Sequence, residues 1–103
     1  MRIIAKKALV KFYEKHASSK ESLEAWFLEV SDSVWQKPED VIIDYPSADV
    51  ITGKRFVFNI KGNHFRLIVD VEFKLKIVFI VWIGTHASYD KINVKEVKYV
   101  KSN

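Results

Sequence analysis

Cysteine is absent from this chain of 103 residues, proline occurs twice and glycine three times. Without cysteine there is no disulfide scaffold and no Cys-based zinc site, which agrees with a reducing cytoplasm. So few glycines leave no phosphate-cradling loop, and no linker, repeat or low-complexity segment is visible. Long apolar runs are missing too: the longest, Ile77 to Ile83, falls far short of the roughly 20 residues a membrane helix requires. The opening MRIIAKKALVKFYEKH carries charges through its first apolar segment and has no small-residue cleavage site, so no secretory signal is expected. Together these absences predict a soluble, cytoplasmic protein with no membrane partner. His16, His64 and His86 lack metal-ligand spacing, and the Ser and Thr residues form no triad pattern, so neither a metal nor a cofactor is expected.

What is present is apolar and basic. Hydrophobic residues make up 49% of the chain, including seven Phe, four Tyr and three Trp, enough to bury one core and too little for two. A single domain over residues 1–103 is expected. Lys and Arg number 17 against 13 Asp and Glu, and the net charge of +4 favours an anionic partner, of which nucleic acid is the commonest.

Periodicity divides the chain into a helical and a strand-rich part. Met1 to Ile4 reads as a short edge strand. Ala8, Leu9, Phe12, Tyr13 and His16 then recur at helical spacing, with Lys6, Lys7, Lys11, Glu14 and Lys15 on the outer side. Ser18 and Glu21 have capping-box spacing ahead of a second stripe, Leu23, Trp26, Phe27, Val30 and Val34. Pro38 suits the first turn of a short third helix, and Pro46 ends it. From Val50 the period falls to two, giving strands at about residues 55–61, 64–73 and 77–84. Ile77 to Ile83 is apolar on both faces and predicts a central strand; the short connection before it demands an antiparallel meander. The closing VKEVKYVKSN reads as a short strand or helix.

A tight hairpin with Gly62 and Asn63 at its tip sets a definite register. It places Asn59 opposite Arg66 and Arg55 opposite Asp70, on one polar, cationic face. Phe56, Phe58, Ile60, Phe65, Leu67 and Val69 fill the other face, which alone has to be buried. The polar face is then free for a partner or for chemistry.

MRIIAKKAL, the Trp26 helix, KPEDV with YPSAD, FNIKGNHFRLIV and IGTHASYDKI follow one another in an order that closely resembles the HigB family of bacterial toxin-antitoxin systems, across nearly the whole chain. The resemblance implies a RelE-like α+β fold, a mainly antiparallel sheet packed on N-terminal helices in the order β-α-α-β-β-β. It also implies a ribosome-dependent mRNA endoribonuclease (mRNA interferase) acting in the ribosomal A site and held inactive by a HigA-type helix-turn-helix antitoxin. Asn59, Lys61, Gly62, Asn63 and Arg66 match the family's FN, KGN and following Arg, and Thr85, His86, Tyr89 and Asp90 match its THxxYD segment. A non-catalytic basic RNA-binding module, or a degenerate toxin serving as its antitoxin's co-repressor, are the rival readings.

Metal-free RNA cleavage takes its nucleophile, the 2′-hydroxyl, from the substrate, so the protein must supply charge and protons. Arg66 is the candidate phosphate clamp, against a plain ion pair with Asp70 or Glu72. His86 is the candidate for proton transfer, against Thr85 or His86 merely capping a last short helix. Tyr89, one helical turn on, completes the catalytic set by stacking on a base or bonding phosphate, unless it closes a core edge. Lys61, Asn63 and His64 at the hairpin tip are candidate RNA contacts, and Asn59 is placed to orient Arg66. Lys7 and Lys11, with Lys6 and Lys15, either bind ribosomal RNA or form a solvated helix face.

Overall fold

The helical spacing near the N-terminus becomes α1 (Lys6–Lys15), which buries Leu9 and leaves Lys7, Lys11 and Lys15 exposed. The computed structural model describes residues 1–98. A 3-10 turn (Ala17–Ser19) leads into α2 (Lys20–Ser31), where Leu23, Trp26 and Val30 face inward. The Ser18–Glu21 capping box does not form. Ser19 is the N-cap residue, and its hydroxyl donates back to the His16 carbonyl at 2.7 Å, closing the 3-10 turn instead. Val34 also leaves the expected stripe and is 74% exposed. Ser33 bonds the Glu29 carbonyl through Oγ and the Val30 carbonyl through its N–H, tightening the end of α2 before Val34 is reached. Pro38 opens α3 (Pro38–Asp44), as its fixed φ and missing N–H favour.

The strands are β1 (Arg2–Ile4), β2 (Asp49–Val50), β3 (Arg55–Ile60), β4 (Phe65–Glu72) and β5 (Ile77–Thr85), in the sheet order β1-β5-β4-β3-β2. β1 runs parallel to β5 and the other pairs are antiparallel, which makes the domain α+β. The hairpin register matches the sequence reading pair for pair, including Asn59 with Arg66 and Arg55 with Asp70. Lys61 to His64 form the turn, closed by the His64 N–H on the Lys61 carbonyl at 3.2 Å, with positive φ at Lys61 and Gly62.

β4 rather than β5 is the central strand, although β5 is also interior because the short β1 covers its start. A bulge in β5 changes which residues share a face. Val69 pairs with Ile80 and Ile68 with Trp82, leaving Val81 unmatched. Val78, Ile80 and Ile83 therefore join one core, while Val81 and Trp82 join another. Simple alternation would have put Trp82 and Ile80 together.

The larger core lies between the sheet and α1 to α3. Phe56, Phe58, Ile60, Phe65, Leu67 and Val69 are all buried in it. Phe58 is surrounded by aromatic rings: Trp26 at 5.5 Å, Trp35 at 6.3 Å and Tyr45 at 5.0 Å between centroids. The opposite face is not free, as alternation alone implied. Val57, Ile68 and Val81 are buried there beneath Ile51, Trp82, Tyr89, Ile92, Val94 and Val97. The chain after β5 makes this second cover: a four-residue helix, α4 (His86–Tyr89), then turns. Within VKEVKYVKSN, Val94 to Lys98 form neither strand nor helix, and residues 99–103 lie outside the described residues.

Candidate functional site

The two arginines of the polar face have different partners. Arg55 Nε and Nη2 donate to the two carboxylate oxygens of Asp70 at 2.7 and 2.8 Å, a bidentate pair with little exposure. Its Nη1 bonds the carbonyls of Val94 and Val97, at 3.1 and 2.6 Å, fastening the C-terminal segment to the sheet. With Asp70 so engaged, the ion pair offered as the plain alternative for Arg66 does not form.

Arg66 has no carboxylate partner among the described residues. Its Nη2 donates to Asn63 Oδ1 at 2.6 Å, and its guanidinium lies 5.8 Å from the centroid of the Tyr89 ring. Asn63 thus orients Arg66. Asn59, expected in that role, sits across from Arg66 in the ladder but directs its amide to the Ser47 carbonyl at 3.5 Å. The amide follows the β2 side of its strand, where Ser47 stands two residues before the Asp49–Val57 pair.

The adjacency of β4 and β5 brings the THASYD segment to the same strand ends. Phe65 pairs with Thr85, and the His86 N–H donates to the His64 carbonyl at 3.0 Å. Thr85 caps α4, its Oγ1 accepting the Ser88 N–H at 3.1 Å, so His86 is released from capping. The imidazole Nε2 is 3.4 Å from Asp90 Oδ2, four residues on, with both groups well exposed. Asp90 can therefore hold the ring in place. His64 Nδ1 lies 2.9 Å from the Lys61 carbonyl, which ties that ring to the turn, and Lys61 itself is exposed.

Tyr89 is half-buried, 6.1 Å from Trp82 between ring centroids. Burial raises its phenol pKa above the ordinary value, Asp49 and Asp90 add to the rise, and Arg66 opposes it. The hydroxyl is a proton donor at neutral pH. Trp82, read from sequence as strand interior, is a missed member of this group. Its ring lies over Gly84, where any Cβ would collide with it. Gly84 pairs with Arg66, so the absent side chain is what lets the indole fold across the strand toward the arginine's row. A Trp two residues before a glycine at a strand end was the available signal.

Arg66, Asn63, Tyr89 and Trp82 form one connected group, with His64 and His86 joined through the backbone beside it. Lys7 and Lys11 are elsewhere: α1 packs into the larger core, on the opposite side of the sheet from Tyr89, and both lysines line a groove beside β5. Among the described residues no three His, Cys, Asp or Glu side chains gather as a metal-ligand set.

Fold and site define a small α+β protein that presents a guanidinium with no carboxylate among the described residues, a protonated phenol and imidazoles at one sheet end, equipment for an anionic partner. The chain belongs to the HigB toxin family: the family model, described as the RelE-like toxic component of a toxin-antitoxin system, matches residues 19–92. The mRNA interferase toxin HigB of Escherichia coli strain K12 is 33% identical over 92 residues, covering 87% of this chain and 88% of that protein. The mRNA interferase HigB of Shigella flexneri matches equally well. That of Escherichia coli O6:H1 (strain CFT073) is 26% identical over 105 residues, covering all of this chain and 98% of its own.

Proposed function

We propose that this toxin is an mRNA endoribonuclease acting at the ribosome, and that Arg66, His86 and Tyr89 carry the reaction. The name mRNA interferase, borne by the relatives, supports the activity. The observation that carries the site is Arg66: a guanidinium oriented by Asn63, facing Tyr89 and left without a carboxylate among the described residues. Such a group is poised to bind the nonbridging oxygens of a phosphodiester as negative charge grows on them.

In the step we propose, the substrate's 2′-oxygen forms a bond to the adjacent phosphorus as the bond to the 5′-oxygen breaks. The 2′ proton passes to a base and the 5′-oxygen receives one, leaving a 2′,3′-cyclic phosphate and a free 5′-hydroxyl. His86, oriented by Asp90, is assigned the proton transfer. Tyr89, kept protonated, donates to the phosphate or the leaving oxygen. Lys61, Asn63, His64 and Asn59 border the path of the RNA, and Trp82 offers an aromatic surface for an unstacked base. A HigA-type antitoxin is the assigned inhibitor, and the decoding site of the ribosome the place of action.

Induced expression in bacteria tests this reading. The parent chain is expected to arrest growth and shorten transcripts, with 2′,3′-cyclic phosphate at the new ends. Arg66→Ala should lower the cleavage rate roughly 100- to 1,000-fold, and His86→Ala by about 100-fold or more. A parent that leaves growth and transcripts unchanged refutes the toxin reading; fully toxic variants refute the site.

A further inference from the structure

β1 pairs with β5 only from Ile77 to Phe79, so the remainder of β5, through Thr85, has no strand on its outer edge among the described residues. α1 runs beside this edge and leaves a groove of about 710 Å³ between them. Its walls are apolar: Ala5, Ala8 and Phe12 from the helix side, Ile80, Trp82 and Ile83 from the strand. Lys7, Lys11 and Lys15 recur every fourth residue along the rim, against Glu14 as the one acid in the lining. Successive positions of this kind fall in a row on a helix.

An open strand edge, an apolar floor and a lysine rim ask for one kind of occupant. Unpaired backbone N–H and C=O groups are satisfied by another extended chain, which adds main-chain hydrogen bonds while alternate side chains enter the groove. The floor requires apolar side chains and the rim requires carboxylates beyond them. RNA fits poorly, because a phosphate backbone gains nothing from a strand edge or from the apolar wall. We propose that the groove between α1 and the open edge of β5 docks an extended, apolar segment of the antitoxin flanked by Asp or Glu, added to the sheet beside β5. This rests on the toxin reading, which supplies an antitoxin as partner. It transfers Lys7 and Lys11 from RNA contact to this interface. Trp82 belongs to both the groove wall and the aromatic group near Arg66, so the occupant lies one side chain from the site.

Residue-resolved amide exchange of the intact toxin, alone and with its cognate antitoxin, tests the proposal without altering the chain. Outward-facing amides between Ile80 and Thr85 are expected to exchange about tenfold or more slowly in the complex. Ala8→Glu, which places a like charge in the groove, is expected to weaken antitoxin binding by roughly tenfold or more, with less salt dependence than the parent. Protection confined to another surface, or unchanged affinity of a folded Ala8→Glu protein, overturns the docking site while leaving an active toxin. Slowing of the same amides by an RNA oligonucleotide and not by the antitoxin also overturns it. Antitoxin protection of these amides on a chain that neither arrests growth nor cuts mRNA upholds the docking site and refutes the toxin reading instead.

Discussion

Arg55 and Arg66 project from neighbouring strands onto one face, and their surroundings differ: Arg55 is held in an ion pair, whereas Arg66 meets no carboxylate among the described residues. Arg55 meets Asp70 directly across the ladder, whereas Arg66 meets Asn59, whose amide turns away to Ser47. The register was readable from alternation, but the pairing partner of each guanidinium depended on side-chain directions that alternation does not carry. Gly84 makes a similar point. Its importance comes from the Trp82 ring that rests over it. Gly84→Ala is expected to push that ring out, costing about 1–3 kcal/mol as an overpacking substitution. Denaturant titration measures the loss, and a red shift of Trp82 emission reports the displacement, since Trp26 and Trp35 are buried. Unchanged stability and emission would show that the indole does not depend on this glycine.

Arg55 bonds the C-terminal segment to the sheet through carbonyls of residues in no regular element. Asp70→Ala leaves the guanidinium bonded to those carbonyls without its counter-charge, and about 2 kcal/mol of stability should go with the lost charge-assisted bonds. Faster proteolysis at Lys95 should accompany it; equal cleavage rates would disconnect the pair from the segment. Between α2 and the end of α3, the Tyr45 hydroxyl donates to Glu29 Oε1 at 2.6 Å. Burial, then Glu29 and Asp44, raise the Tyr45 pKa well above its ordinary value of 10.0. The unfolded chain loses this proton first, so the stabilisation is complete below about pH 10 and declines as pH rises through the folded-state value. Tyr45→Phe should flatten part of that alkaline decline, which pH-dependent unfolding measures; an unaltered slope would remove Tyr45 as its source.

At the scale of the molecule, one sheet separates two unequal cores with separate duties. The helices and the hairpin's apolar row make the large core around Phe58, while the segment after β5 closes the smaller one and carries His86 and Tyr89 of the candidate site. Phe58→Ala removes the ring on which Trp26, Trp35 and Tyr45 converge and should cost about 3–5 kcal/mol. A thermal or denaturant melt checks this, and a loss below about 1 kcal/mol would mean that the three neighbours repack around the gap. The net charge of +4 is spread over both sides, with Arg66 at the sheet end and the lysine row on α1.

Local pattern determined the three main helices, the hairpin register and the identity of the larger core, because each follows from a period of 3.6 or 2 and from turn chemistry between near neighbours. It also placed Arg66 near the start of one strand and His86 and Tyr89 just beyond the end of the next, ends that the β4–β5 pairing joins. The tertiary structure alone decided the rest. The bulge at Val81 is silent in an apolar run, since either register offers hydrophobic residues to both faces. The bonding of Arg66 to Asn63 rather than Asn59 turns on side-chain direction within the hairpin, while the C-terminal cover over Val57 and Ile68 and the open edge beside α1 depend on contacts between distant segments. Periodicity records which side a residue faces; only packing selects what it meets there.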